Sequence, residues 1–228
     1  MVLKGLQKTT LLDFPGKVAC TVFLAGCNFR CPFCHNASLV RGGEQEIGRG
    51  EFFDFLKKRQ GILDGVCITG GEPLMCADTL ELAREIRTLG YAVKLDTNGS
   101  YPERLEEIIA SGVVDYIAMD VKSSLGTYAA ACGVQLDTAR VEKSISIIKN
   151  SGIAHEFRTT VVKGIHSTDD IVGCARLVGE GEAYFLQSYK LSDDILAPDG
   201  LSPFSTEELA EILAAARACN SKTELRGV

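Results

Sequence analysis

The chain has 228 residues, of which 46% are hydrophobic, and it carries a formal net charge of −6 at pH 7. A chain of this length and apolar content can form one larger α/β domain or two small ones. The negative charge disfavours binding to nucleic acid or to an anionic membrane, because no basic excess is present to neutralise phosphates. No apolar run approaches the roughly 18 residues that a membrane-spanning helix needs.

The first predicted strand, residues 17–25, is continuously apolar and ends in a loop that carries three cysteines. Cys27, Cys31 and Cys34 have the spacing C-x3-C-x2-C. Thiols this close cannot all face one point from a rigid strand, so we expect a loop that surrounds a metal centre. A cubane iron–sulfur cluster normally takes four thiolates. With three, one iron lacks a protein ligand, much as a catalytic zinc keeps an open position for its substrate.

Two alternatives remain open for these cysteines, a structural zinc site and a loop without metal. Zinc needs a fourth ligand, and His35 follows Cys34 too directly to share a tetrahedron with it. His155 or His166 would then have to complete the site from elsewhere in the chain. Without a signal peptide, we expect the scattered cysteines to be reduced, buried thiols of a cytoplasmic protein. They are Cys20, Cys67, Cys76, Cys132, Cys174 and Cys219.

Strands and helices alternate through the rest of the chain. The predicted strands are residues 17–25, 65–69, 91–95, 113–121, 154–162 and 183–188, and the predicted helices are residues 51–60, 79–89, 102–110, 138–150, 168–178 and 206–218. This alternation is typical of a parallel sheet with right-handed crossovers. No Pro- or Ser-rich linker divides the chain, so we predict one domain over residues 1–228. Six units are too few for a closed eight-stranded barrel, so we predict a partial (β/α)6 TIM-type barrel with an open lateral side; the alternative is a doubly wound sheet.

Polar and glycine-containing segments follow the predicted strands, on the side of a β/α barrel that carries the chemistry. Gly70, Gly71 and Glu72 follow the second strand, and the two glycines allow a ligand to approach the backbone closely. Exposed backbone N–H and C=O groups there are suited to a zwitterion such as an amino acid. A glycine pair after a strand is also common in tight turns, so this segment alone is a weak signal.

The segment that contains Asp96, Thr97 and Asn98 follows the third predicted strand. Its Asn-Gly pair often forms a hairpin turn, but a helix follows here and offers no second strand to pair. Asp and Asn at a strand end are suited to the hydroxyl groups of a ribose. A plain polar turn is the alternative.

Three charged side chains are candidates for the interior of the barrel. Asp120 and Lys122 are two residues apart, so they share one face of the fourth strand, and we expect each to pair with the other or with a charged ligand. Both could instead lie beyond the strand end in solvent. Arg158 on the fifth strand is a further inward candidate, with an outward surface position as the alternative.

Together, these segments resemble the radical S-adenosylmethionine (SAM) superfamily, and within it the activating enzymes of glycyl radical proteins. The likeness is greatest to the activating proteins of anaerobic ribonucleoside-triphosphate reductase. It extends over nearly the whole chain, and the cysteine motif, with an aromatic residue before its third cysteine, is its most specific part. The segments that carry it are residues 13–16, 26–36, 70–73, 96–99 and 120–122.

The resemblance implies a single [4Fe-4S] cluster on Cys27, Cys31 and Cys34, whose open iron binds the amino and carboxylate groups of SAM. It assigns the other candidate residues to contacts with SAM or with a monovalent cation. These are Phe33 and His35 at the adenine; Gly70, Gly71 and Glu72 at the methionyl amino group; Asp120 and Lys122 at ribose and carboxylate; Asp96 and Thr97 near a monovalent cation; and Asn98 and Arg158 as further contacts.

The resemblance also implies a reaction and its partners. One electron from the reduced cluster cleaves SAM to methionine and a 5′-deoxyadenosyl radical, which removes a hydrogen atom from a glycine of a partner such as anaerobic ribonucleotide reductase. Flavodoxin or ferredoxin is the expected electron donor. Activating enzymes of pyruvate formate-lyase carry Leu-Pro-Tyr-His on the sixth strand, whereas this chain has Leu-Gln-Ser-Tyr at residues 186–189. Gln187 or Tyr189 would then replace the histidine. The chain also lacks the ferredoxin-like cysteine insert of some activating enzymes.

Two other functions remain open from the sequence. A radical SAM enzyme that acts on a small molecule would have the same cluster and a closed polar pocket. A one-cluster electron carrier or a zinc-stabilised binding module would need the cysteines but not the cofactor contacts.

Overall fold

The computed structural model describes residues 2–42 and 46–227. Its eight strands form one sheet in the order β1-β2-β3-β4-β5-β6-β7-β8. The strands are β1 (Leu3–Thr10), β2 (Ala19–Leu24), β3 (Gly65–Gly70), β4 (Ala92–Thr97), β5 (Tyr116–Asp120), β6 (Ala154–Val161), β7 (Tyr184–Ser188) and β8 (Thr223–Arg226). From β2 to β8 all neighbours are parallel.

The helices are α1 (Ala37–Arg41), α2 (Arg49–Lys58), α3 (Thr79–Thr88), α4 (Pro102–Ala110), α5 (Tyr128–Cys132), α6 (Thr138–Asn150), α7 (Thr168–Val178) and α8 (Thr206–Arg217), with a 3-10 turn at Pro73–Met75. Ser167 and Ser205 begin α7 and α8 with reciprocal side-chain and backbone hydrogen bonds to the third helical residue. No helix in the described ranges is both long enough and apolar enough to cross a bilayer.

The strand order confirms the partial barrel. In a doubly wound sheet the order reverses at a switch point, whereas here every strand lies beside its neighbour in sequence. All six predicted strands and all six predicted helices are present, with ends shifted by a few residues.

Two strands were not predicted. β1 pairs antiparallel with β2, and β8 pairs parallel with β7 at the opposite edge. β1 is mostly half-exposed and contains a glycine, and β8 has only four residues. Neither therefore has the continuous apolar run that identified the central strands.

The two faces of the central strands differ in chemistry. On β5, Ile117 and Met119 are fully buried against the helices, whereas Tyr116 and Asp120 alternate with them on the other face. The sheet therefore packs an apolar layer against the helices and turns its charged residues into the barrel interior.

The turn at residues 13–16 lies at the amino ends of the strands, opposite the cysteine loop. Phe14 is buried there, 6.1 Å from the ring of Tyr116, and a Cβ on Gly65 would come within 2.9 Å of its ring. Asp13 accepts a hydrogen bond from the Thr21 hydroxyl. This turn therefore has a packing role at the base of the barrel.

Candidate active site at the carboxyl ends of the strands

A cavity of about 260 Å³ opens at the carboxyl ends of the parallel strands. All the residues that the resemblance assigns to the cluster, to SAM or to a cation line it, with the exception of Glu72. The lining residues are Cys27, Phe29, Cys31, Phe33, Cys34, His35, Asn36, Val40, Thr69, Gly70, Gly71, Asp96, Thr97, Asn98, Asp120, Lys122, Arg158, Thr160 and Gln187. Thr69 and Thr160 were not predicted, although their spacing of two from Gly71 and Arg158 places them on the same face.

The cysteine loop has an internally hydrogen-bonded conformation. The backbone N–H of Cys34 donates to the Cys31 carbonyl at 3.0 Å, and the N–H of Phe29 donates to the Cys27 sulfur at 3.4 Å. The Arg30 guanidinium donates to the carbonyls of Cys27 and Phe29. These contacts turn all three cysteines towards the cavity.

Glycines on both sides hold this loop against its neighbours. The Glu72 N–H donates to the Gly26 carbonyl at 2.8 Å, and a Cβ on Gly71 would lie 1.9 Å from that oxygen. On the other side, Arg30 N–H donates to the Cys132 carbonyl at 2.8 Å. Gly133 has φ +69, and a Cβ there would lie 2.1 Å from the Arg30 oxygen. Close backbone approach is therefore the structural reason for glycine at residues 71 and 133.

The thiols of Cys27 and Cys31 are protonated at neutral pH in the free chain. Burial raises the pKa of Cys27 to about 11 and that of Cys31 to about 12, and the charge of Lys122 lowers both pKa values in part. Metal binding to these two cysteines requires release of their protons, so the site is suited to a metal centre that binds thiolates strongly enough to displace them.

The histidines proposed for a zinc site have other partners. His155 Nε2 lies 3.0 Å from the Glu182 carboxylate. His166 Nδ1 accepts from Val162 N–H at 3.1 Å, and its Nε2 lies 2.8 Å from the Lys122 carbonyl. His35 Nε2 lies 2.6 Å from the Lys190 carbonyl. Among the described residues, no three His, Cys, Asp or Glu side chains converge closely enough to hold a single metal ion.

Three cysteines fit a cubane cluster in a different way from a single ion. Each cysteine of such a cluster binds its own iron, so the thiols must surround a space and need not meet at a point. Cys27, Cys31 and Cys34 line one cavity in this manner, and Lys122 contributes a positive charge near the sulfurs of Cys27 and Cys31.

Glu72 lies out of the cavity lining, where it joins the loops that follow β3 and β4. Its buried carboxylate accepts hydrogen bonds from Leu74 N–H at 3.0 Å, the Thr97 hydroxyl at 2.8 Å and Asn98 N–H at 2.6 Å. Burial raises the pKa of Glu72 to about 7, although these donors favour the ionised form. Because these donors lie in the loops after β3 and β4, the Glu72 carboxylate holds both loops in position beside the cavity.

Asn98 connects the loop after β4 to the cysteine loop. Its amide nitrogen donates to the Asn28 side-chain oxygen at 3.1 Å, and its own oxygen accepts from Ser100 N–H at 3.0 Å. Asn28 in turn donates to the Ser100 hydroxyl at 2.9 Å. The loops after β2 and β4 are therefore held by one hydrogen-bond network.

The charged residues predicted for the interior form a connected set of ion pairs. Asp120 accepts from Lys122 Nζ at 3.0 Å and from Arg158 Nε at 2.8 Å, and Arg158 Nη2 donates to Asp96 at 3.2 Å. The expected pairing of Asp120 with Lys122 and the inward position of Arg158 are confirmed. Burial opposes ionisation of Asp120, but the charges of Arg158 and Lys122 outweigh it and hold the pKa of this carboxyl well below its usual range.

Lys94 is a charged interior residue that sequence reasoning missed. Its side chain is 1% exposed and pairs with Asp96, two residues further along β4. The spacing of two between a lysine and an aspartate in an otherwise apolar strand was the signal that could have identified it.

Gln187 lines the cavity at the end of β7, whereas Tyr189, the residue after that strand, is not in the lining. The Tyr189 ring is buried and packs 5.4 Å from the ring of His35. Phe33 is buried against His166, with 5.9 Å between the ring centres. Gln187 and Tyr189 were the two candidates to replace the histidine of the Leu-Pro-Tyr-His segment. Of these, Gln187 is the one that faces the cavity.

Comparisons with known proteins agree with this geometry. The Radical SAM superfamily profile matches residues 21–177. The "Putative glycyl-radical enzyme activating enzyme MJ1227" of Methanocaldococcus jannaschii is 32% identical over 200 residues, which cover 84% of this chain and 81% of that protein. The pyruvate formate-lyase-activating enzyme of Listeria monocytogenes is 32% identical over 124 residues, about half of each chain.

A solved domain of a pyruvate-formate lyase-activating enzyme from Bacteroides vulgatus has the same fold. It superimposes with a TM-score of 0.57 at 18% identity, covering 72% of this chain and 99% of that domain. The likeness agrees with the open, mostly parallel eight-stranded sheet.

Proposed function

Because the chain belongs to the radical SAM superfamily, whose members use a [4Fe-4S] cluster and SAM, we propose that it is the activating enzyme of a glycyl radical enzyme. The observation that carries this proposal is the convergence of Cys27, Cys31 and Cys34 with the ion pairs of Asp120 on one cavity. An electron carrier requires the cysteine ligands of its cluster but no charged cavity beside them for a cofactor.

In this proposal, Cys27, Cys31 and Cys34 would hold a [4Fe-4S] cluster, and the iron without a cysteine would be open to SAM. Such a cluster would supply, in its reduced form, the electron for cleavage of SAM to methionine and a radical that takes hydrogen from a glycine. Gly70 and Gly71 line the cavity, where their backbone would contact the methionyl group, and the absence of side chains lets them pack closely against Leu24 and Gly26.

The remaining cavity residues bind and orient SAM. Lys122 and Asp120 contact the carboxylate and ribose, and Arg158 keeps Asp120 ionised and in position. Phe33 and His35 lie at the adenine, with His35 supported by Tyr189 and by the Lys190 carbonyl. Glu72 contributes by fixing the loops that carry Thr97 and Asn98.

A protein substrate is favoured by the names of the relatives, which are activating enzymes. The sheet also has two free edges, β1 and β8, among the described strands, so the barrel remains laterally open. An open side would admit a peptide loop of a partner that carries the target glycine. We propose anaerobic ribonucleotide reductase as the partner, and flavodoxin or ferredoxin as the electron donor.

Electron paramagnetic resonance tests the proposal. The protein is reconstituted anaerobically with iron and sulfide, reduced, and incubated with SAM and a glycyl radical enzyme from the same organism. We expect a glycyl radical signal on the partner that disappears when the target glycine is replaced by alanine. Cleavage of SAM without a signal on any glycyl radical enzyme of that organism would refute the activase and leave an enzyme that acts on another substrate.

A further inference from the structure

Asp96 and Thr97, the residues that the resemblance places around a monovalent cation, are already engaged by other groups of this chain. Asp96 Oδ1 accepts from Lys94 Nζ, and Asp96 Oδ2 accepts from Arg158 Nη2 at 3.2 Å. The Thr97 hydroxyl donates to Glu72 at 2.8 Å and accepts from Gly99 N–H at 3.1 Å. A metal cation at this site would have to compete for oxygens that have protein partners.

A metal cation would also lie beside two positive charges. Lys94 is 1% exposed and Arg158 is 14% exposed, so solvent screens their repulsion of a third cation poorly. Burial favours the neutral form of Asp96, but the charges of Arg158 and Lys94 outweigh it and lower the pKa of this carboxyl. The residues present therefore do not fit an added monovalent cation.

Lys94 has a position that suits it to replace that cation. Its stem runs through the barrel interior, where Nζ lies 3.8 Å from the Cys67 sulfur and 5.9 Å from the centre of the Tyr116 ring. Its carboxylate partner is Asp96, at the wall of the cavity. A buried ammonium is stable only when it is paired, so Lys94 and Asp96 hold each other in place.

We propose that the ammonium group of Lys94 takes the place of a monovalent metal cation in this chain, as a positioning residue for SAM. Lys94 fixes Asp96, Asp96 fixes Arg158, and Arg158 fixes Asp120, which faces SAM. SAM binding by this protein is therefore independent of Na⁺ and K⁺. The inference rests on the proposed function, because it concerns the same SAM site.

The first test uses the unmodified protein. The reconstituted holoprotein is titrated with SAM by anaerobic equilibrium dialysis in choline chloride and in potassium chloride. We expect dissociation constants that agree within about twofold. Thallium(I), used as a substitute for K⁺, is expected not to bind to the protein in the choline chloride buffer. Tighter SAM binding in potassium by about tenfold, or one tightly bound thallium per chain, would overturn the inference.

The second test removes the ammonium. Lys94→Met is expected to weaken SAM binding in choline by at least about tenfold, because it leaves Asp96 without a partner for Oδ1. K⁺ or NH₄⁺ is expected to restore the affinity, since either ion can occupy the vacated position. Lys57→Met is the matched control, because Lys57 is an exposed residue of α2. It is expected to bind SAM as the wild type does in both salts.

The outcomes separate this inference from the proposed function. SAM binding that needs K⁺ in the wild type overturns the role of Lys94 and leaves the activase proposal intact. Loss of affinity in Lys94→Met without rescue by any cation overturns the replacement and assigns Lys94 a purely structural role. Absence of SAM binding by the wild type in both salts overturns both proposals. If Lys94→Met does not fold, the wild-type titrations still decide the question.

Discussion

Replacement of Gly71 by alanine tests the contact that positions the cysteine loop. Gly71 has a backbone conformation that alanine can also adopt, so the effect of the substitution comes only from the atoms that the new Cβ would contact. The new Cβ would lie 1.9 Å from the Gly26 oxygen and 2.5 Å from its carbonyl carbon, well below the 3.0 Å that Cβ contacts reach. The Gly26 carbonyl, one residue before Cys27, must move by about 1 Å.

The cost of this movement follows from the bonds that it breaks. Glu72 N–H donates to the Gly26 carbonyl at 2.8 Å, and Gly71 N–H donates to the Leu24 carbonyl at 3.0 Å. Two hydrogen bonds at about 1 kcal/mol each, together with the strain of overpacking, predict a loss of about 2–4 kcal/mol. For a chain of this size, that loss lowers the unfolding temperature by about 5–15 °C.

Circular dichroism of the metal-free protein measures the unfolding temperature, and iron and sulfide analysis after anaerobic reconstitution measures cluster content. Gly71→Ala is expected to lower both. Gly50→Ala in α2 is the matched control, because no atom lies near its added Cβ, and we expect it to be neutral or slightly stabilising. Equal unfolding temperatures and equal iron content in the two variants would refute the proposed role of Gly71.

Three further predictions concern the cavity and the loops beside it. Cys31→Ala is expected to abolish the cluster, whereas Cys67→Ala, which changes a buried thiol outside the cysteine loop, is expected to keep it. Iron analysis measures cluster content in both variants. An intact cluster in Cys31→Ala would contradict the ligand assignment. Asp120→Ala is expected to weaken SAM binding by about tenfold or more without loss of iron, because Lys122 and Arg158 lose their shared partner. Unchanged affinity for SAM would place Asp120 outside the site. The pKa of Glu72 rises from 4.5 to about 7 on folding, so folding favours its protonated form and stability from this group is lost as pH rises between these values. In urea unfolding, the advantage of the wild type over Glu72→Gln should fall by about 2 kcal/mol between about pH 5 and pH 7.5; a constant difference would show that the carboxyl stays ionised.

The central fold could be predicted because each parallel strand is a short apolar run with a turn at its end. Periodicity also placed Asp120 and Lys122 on one face, and the structure confirms their ion pair. The edge strands β1 and β8 could not be predicted in this way, because partial exposure and short length remove the apolar pattern.

The site was predictable where one short segment carries the information, as in the cysteine loop. It was less predictable where the role of a side chain depends on partners far away in sequence. The Glu72 carboxylate has Thr97 and Asn98 as partners, which lie 25 and 26 residues further along the chain and could not be predicted from the segment around Glu72. Lys94 was missed although its partner Asp96 lies only two residues further along the same strand, because a lysine is mostly exposed unless it is paired.

The central claim is that three cysteines hold a cluster at which this protein cleaves SAM. Formation of 5′-deoxyadenosine by the anaerobically reconstituted, reduced protein tests it most directly. We expect 5′-deoxyadenosine and methionine in equal amounts from the wild type and neither product from Cys31→Ala. A fully reconstituted, reduced wild-type protein that leaves SAM intact would contradict it.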